Sequence, residues 1–177
     1  MKDCSQILKD QKAVKIHKRL LTFESLLCYN WEAEKDIRTM NKQEEILTIL
    51  ERARHFLREE KFWAKWTLAQ TENGEEVSID SPFAVRFCML GAIKRSLFEN
   101  DNGINSETEW DKNPNFLTII KEFREPIKKM KPEYRFWNIP YFNNRQNTTH
   151  EDVLLVFDEV ITNIRSGDQK QEMLLVV

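Results

Sequence analysis

The chain has 177 residues and a formal net charge of −2 at pH 7, and it sets 11% aromatic residues against only four Gly and five Pro. That length bounds it to one domain with at most a short appendage, and a bulky, glycine-poor make-up excludes wholesale disorder, turn-dense sandwiches and collagen-like repeats. The slight acidity excludes a chain that is basic throughout and disfavours nucleic acid as a partner, and no apolar run reaches the roughly 18 residues of a membrane span.

Residues 1–41 read as a basic amphipathic helical arm and linker. Ile16, Leu20, Phe23 and Leu27 recur at helical spacing, while Lys2, Lys9, Lys12, Lys15, Lys18 and Arg19 supply the charge. The first residues have no apolar stretch and no small-residue cleavage site, so the reading assigns no secretory signal and a cytoplasmic location. Cys4, Cys28 and Cys88 are odd in number and form no Cys-x-x-Cys pair, which fits a reducing compartment and excludes the common zinc and thioredoxin-type arrangements.

Residues 42–166 read as the main globular domain. Ile46, Leu50, Ala53 and Leu57 share one face of a helix expected to reach about Glu60. Asn73-Gly74, between Thr67–Ala69 and Val77–Ile79, predicts a short hairpin. Ser81-Pro82 has the form of a helix start, predicting a central helix to about Leu97. In it Val85, Cys88, Met89 and Ala92 make one stripe, with Phe83, Phe87 and Leu90 on the other flank. Gly91 would let another backbone approach closely.

Glu99–Asp111 is an acidic loop. Phe116, Ile119, Ile120 and Phe123 mark a further helix, interrupted by Pro126. The mixed charges of 121–135 read as solvated helix surface. Phe136–Phe142, broken by Pro140, predicts an edge strand or extended segment. Thr148 and Thr149 each have an acid three residues on, offering two capping-box registers for a helix that buries Val153, Phe157, Val160 and Ile164 and stops near Arg165 at Gly167. Residues 167–177 form a C-terminal tail whose apolar end, Met173–Val177, is suited to local packing or to adding as a strand on an exposed edge. The fold class expected is α+β, mostly α: a single small domain of four or five helices with a minor β-hairpin, preceded by the helical arm.

Three segments carry a resemblance. They are the helix of Ile46–Leu57 leading into Trp66–Ala69, the run Ser81–Ala92 with its Cys88-Met89-Leu90-Gly91-Ala92, and Phe142-Asn143-Asn144 followed by Thr148-Thr149-His150. Together they resemble a small family of uncharacterised bacterial and phage proteins of unknown function, with its Cys-x-Leu-Gly-Ala helix and Phe-Asn-Asp…Thr-x-His closing motif. The resemblance spans about Lys42–Ile164 and implies a coherent domain without an assigned activity. Asn144 stands where the family pattern has Asp.

Two functional classes follow. The leading one is a non-enzymatic protein-interaction or regulatory module in the bacterial cytoplasm, an accessory protein in phage or defence biology. Its binding residues would be the junction aromatics Trp63, Trp66, Trp137, Tyr141 and Phe142, and its protein partner would be reached through residues 1–40 or the C-terminal tail. The alternative is a cysteine-dependent hydrolase or transferase, with Cys88 as nucleophile, His150 as base and Asn144 or Asn143 orienting the imidazole. A thiolate needs such a base or a helix N-terminus, whereas a cysteine on a helix's apolar face is a small buried hydrophobe. His17, His55 and His150 fall on three separate elements, so no metal site is expected, and no motif calls for a cofactor.

Overall fold

The first helix, α1 (residues 42–56), turns its stripe of Ile46, Ile49, Leu50 and Ala53 fully inward, and Leu57 closes it with a tightened last turn, its amide donating to the Arg54 carbonyl. The computed structural model describes residues 42–100 and 110–175, apart from the side chains of 111 and 168–175. The expected arm over residues 1–41, most of the acidic loop and the side chains of the tail lie outside the described residues.

After a 3-10 turn (Glu60–Phe62) the chain runs extended into β1 (Ala69–Gln70), which pairs antiparallel with β2 (Arg86–Phe87) in the register Ala69 to Phe87 and Gln70 to Arg86. The turn at Asn73-Gly74 forms as expected, with Gly74 at φ +85°. The hairpin partner differs. From Val77–Ile79 the Val77 amide donates to the Ala69 carbonyl, next to an isolated Gln70–Glu76 bridge, and the ladder itself is made with β2.

Ser81-Pro82 starts a turn and not a helix: the Phe83 amide donates to Ser81 Oγ and the Ala84 amide to the Ser81 carbonyl. The helix, α2 (Met89–Asn100), begins seven residues after Pro82. Phe83 is therefore 72% exposed and Val85 partly so, against their expected core places, while Phe87 is buried from the strand. Gly91 does admit a backbone: a Cβ built on it would lie 1.9 Å from the Leu68 carbonyl oxygen.

Beyond a 3-10 turn at Trp110–Lys112, α3 (Pro114–Glu122) starts with Asn113 accepting from the amides of Asn115 and Phe116 and with Pro114 in the first turn. The chain breaks at Phe123 and resumes as α4 (Arg124–Met130), because Pro126 has no amide to bond back to Glu122. The segment expected to be extended is instead a helix, α5 (Ile139–Asn144), capped by Asn138 accepting from the Tyr141 amide. Pro140, expected to break a strand, sits in that helix's first turn, where its fixed φ fits.

The last helix, α6 (His150–Leu175), opens on the Thr149–Asp152 capping box, each side chain bonded to the other's amide. Thr148 serves elsewhere, buried against the Tyr134 hydroxyl at 2.9 Å. Val153, Val156, Phe157 and Val160 are wholly buried, and each such side chain contributes about 1.5–3 kcal/mol. Gly167 does not stop α6, which continues to Leu175. Its surroundings are open there, and a propensity cost of about 1 kcal/mol does not end a helix already propagating. α4 packs on α6, α2 on α5, and Phe123 meets Phe157 edge-on at 4.9 Å. The result is one small, mostly helical domain with a two-stranded ladder.

Candidate functional site

With α2 starting at Met89, Cys88 becomes the residue that caps it. Its carbonyl accepts the first helical bond from Ala92, and its Sγ accepts from the Gly91 amide at 3.3 Å. Burial pushes the thiol up, and the amides of Gly91 and Leu90, which pull the other way, do not reverse it. Cys88 is thus a protonated, buried helix cap at neutral pH, the reverse of an activated thiolate.

His150 stands at the other end of the proposed relay. Its Nε2 donates to the Leu57 carbonyl at 2.6 Å, and its ring lies 6.0 Å from that of Trp63. A carbonyl only accepts, so Nε2 carries the proton and is unavailable as a base. Among the described residues no hydrogen bond joins Cys88 to His150: the relay's nucleophile and base face different carbonyl and amide partners.

The asparagines stand beside the start of α2 next to Cys88, but as masonry. Asn143, 1% exposed, accepts on Oδ1 from Trp63 Nε1 (2.8 Å) and the Met89 amide (3.1 Å). Its Nδ2 donates to the Ala64 carbonyl (3.1 Å) and to Asn144 Oδ1 (2.9 Å). Asn144 Oδ1 also accepts the Trp66 amide at 2.8 Å. Lys65 adds a second clamp, its Nζ donating to the carbonyls of Arg145 and Thr148 and lying 4.6 Å from the Trp63 ring; burial lowers its pKa. Residues 63–66 are therefore pinned to the start of α2 and the end of α5.

This pinning holds Trp66 at φ +71°, the left-handed region that a bulky side chain disfavours by about 1–2 kcal/mol, while leaving its indole 79% exposed. The other expected binding aromatics divide. Phe142 is wholly buried and belongs to the core, a correction to its place in the binding set. Trp63 is committed to Asn143, and Tyr141 packs edge-on against Tyr134 at 5.8 Å with the Arg145 guanidinium 4.8 Å from its ring. Trp137 is half-buried under Lys128, 5.2 Å away, and its Nε1 is buried with no partner among the described residues.

Two adjoining depressions occupy this face and share Leu90, Ile139 and Pro140 as a common wall. One, of 240 Å³, is bordered by Trp66, Leu68, Cys88, Asn143 and Asn144. The other, of 600 Å³, lies between α3 and the chain entering α5, with Phe116, Ile120 and Trp137 inside and Lys121, Arg124 and Arg135 on its border. His150 borders neither. Sequence reasoning missed Phe136, 47% exposed at the second depression, and the three cations. The excess of bases in 121–135 was their only signal, and pairing in the fold decides which of those bases remain free.

Among the described residues no three His, Cys, Asp or Glu side chains converge as metal ligands, and no helix is long and apolar enough to cross a membrane. No curated protein and no solved structure matches the chain. A family does match, over residues 41–163, taking in α1, the β1–β2 ladder, the asparagine joint and the buried face of α6. The chain belongs to this family of unknown function, DUF6197.

Proposed function

We propose that this protein is a non-enzymatic interaction module that docks a partner protein on the face running from Trp66 over Pro140 to Phe136. The observation that carries the reading is Trp66: a residue whose strained backbone is held by Asn144, with its indole four-fifths exposed and flanked by an apolar depression. Strain of this kind is retained where the surroundings over-determine it, and a pre-positioned Trp loses little freedom on binding. The motif resemblance to bacterial and phage proteins supports a bacterial cytoplasmic, phage-associated setting. Residues 1–40 and the tail remain further candidate contacts in the proposal.

The cysteine-enzyme reading has one observation in its favour, the place of Cys88 beside the smaller depression at a helix N-terminus. The raised thiol and the engaged His150 weigh against it.

Trp66→Gly tests the module reading. Glycine accepts φ +71° without strain, so the variant should melt no lower than wild type while losing the docking aromatic. The expected outcome is loss of co-purifying host protein by the folded variant. Equal recovery of the same partners by both forms refutes docking at Trp66.

A further inference from the structure

We infer that the 600 Å³ groove takes an acidic segment of the partner protein, one that also carries a bulky apolar side chain. The inference rests on the interaction-module reading and supplies the partner's chemistry. The groove's interior is apolar, with Phe116, Ile120 and Ile139, and its border holds Lys121, Arg124 and Arg135 with no carboxylate residue among its lining. All three cations are exposed, and among the described residues none lies within ion-pair distance of an acid. Neighbouring bases are matched: Lys128 with Glu125, Lys129 with Glu159, Lys131 with Asp152.

Three free cations around an apolar trough repel basic partners and steer acidic ones, while the trough itself takes the anchor side chain. The aromatic faces separate a peptide from single-stranded nucleic acid. Stacking of bases needs open rings, but Lys128 lies over Trp137, and Phe136 has Arg135 at 5.1 Å and the near-perpendicular ring of Tyr141 at 5.3 Å. A carboxylate can meet the guanidinium of Arg124 or Arg135 as a planar pair, which suits Asp and Glu side chains.

The test uses the full chain as bait for a displayed library of random peptides, followed by fluorescence anisotropy with the enriched peptides. Enriched sequences are expected to combine Asp or Glu with Phe, Leu, Trp or Met. Lys121→Glu with Arg124→Glu, both at exposed positions, should weaken them by roughly tenfold or more at low salt and less at high salt, and should favour peptides whose acids are replaced by Lys. Thermal melting confirms that the double variant is folded. Enrichment of basic or uncharged peptides, or acidic peptides indifferent to the double variant, overturns this inference. If Trp66→Gly abolishes binding of those same peptides, the module reading survives it. Enrichment of nothing at all overturns both, and equal competition by an oligodeoxythymidylate overturns the acidic-peptide assignment in favour of nucleic acid.

Discussion

Replacing Gly91 by Ala should destabilise this protein, although helix propensity alone says the opposite. In an open helix the change gains about 1 kcal/mol. Here the new methyl would stand 1.9 Å from the Leu68 carbonyl oxygen and 2.8 Å from its carbon, where ordinary contact begins near 3.4 Å. Backbone cannot rotate aside as a flexible side chain does, so α2 and the strand entry must part by about 1.5 Å. That opening breaks the bond from the Cys88 amide to the Leu68 carbonyl, 3.2 Å long, at about 1 kcal/mol, and strains a packed joint by about 1–3 kcal/mol more. After subtracting the propensity gain, the net loss is about 1–3 kcal/mol, or roughly 2–12 °C in Tm. Gly167→Ala provides the matched control, since α6 has open space there, and it should raise Tm by roughly 2–4 °C. Differential scanning calorimetry of the two variants decides the matter. If Gly91→Ala melts at or above wild type, the close approach at Leu68 is wrong.

Cys88 should resist alkylation in the folded protein at pH 8 and react readily in denaturant, read by peptide-resolved mass spectrometry that separates it from Cys4 and Cys28; rapid native labelling would restore the enzyme reading. The Lys131–Asp152 pair, 3.0 Å apart and largely shielded, should give a pH-dependent contribution that Asp152→Asn removes. Burial raises the Asp152 pKa, but the Thr149 amide and Lys131 outweigh it and hold it below the usual 3.8, so its stabilisation is present above that value and lost as pH falls through the lowered one. Lys131 is held above its usual 10.5, chiefly by Asp152, so its share is full below 10.5 and lost as pH rises through the higher value. The difference in urea midpoint between wild type and Asp152→Asn should therefore be largest between those limits and shrink toward both; a flat difference refutes the coupling.

How much of this was legible depended on whether a signal had one meaning. The stripe of α1, the break at Pro126 and the close approach at Gly91 each rest on a pattern with one physical solution, and each is present, while of the two capping-box registers the fold uses Thr149–Asp152. Ser81-Pro82 has two: a hydroxyl accepting from an amide two residues on, followed by a fixed φ, serves a turn as well as a helix start. The strand that follows is only Arg86–Phe87, too short for alternation to register, so the apolar run from Phe83 blended into the helix beyond. Asn138 and Pro140 failed in the mirror sense, a capped helix read as a broken strand. At the site, Trp66 was identifiable as a junction aromatic, but its strain and exposure depend on Asn144, 78 residues away in the chain. Free cations were less visible still, because freedom from pairing is a property of the fold and not of the local charge count.

The asparagine pair yields a sharper prediction because the two amides do different work. Asn144 uses Oδ1 alone, accepting from the Trp66 amide and from Asn143 Nδ2, and a carboxylate accepts both bonds equally well. Asn143 uses both ends: it accepts from Trp63 and Met89 and donates to the Ala64 carbonyl and to Asn144. An aspartate there keeps the first two bonds, faces the Ala64 carbonyl and Asn144 Oδ1 with no proton to give, and buries a charge. Asn143→Asp should therefore cost about 3 kcal/mol or more, while Asn144→Asp should stay within about 1 kcal/mol of wild type. Urea denaturation measures both, and similar midpoints for the two variants, or the reverse order, would refute the assignment. By the same asymmetry an aspartate in place of Asn144 would build the same joint as the Phe142-Asn143-Asn144 of this chain, since the second position is asked only to accept. A carboxylate at that place then needs no catalytic duty to explain it, and the Cys88–Asn143 neighbourhood is a hinge pin between α2 and α5 that presents Trp66 to solvent.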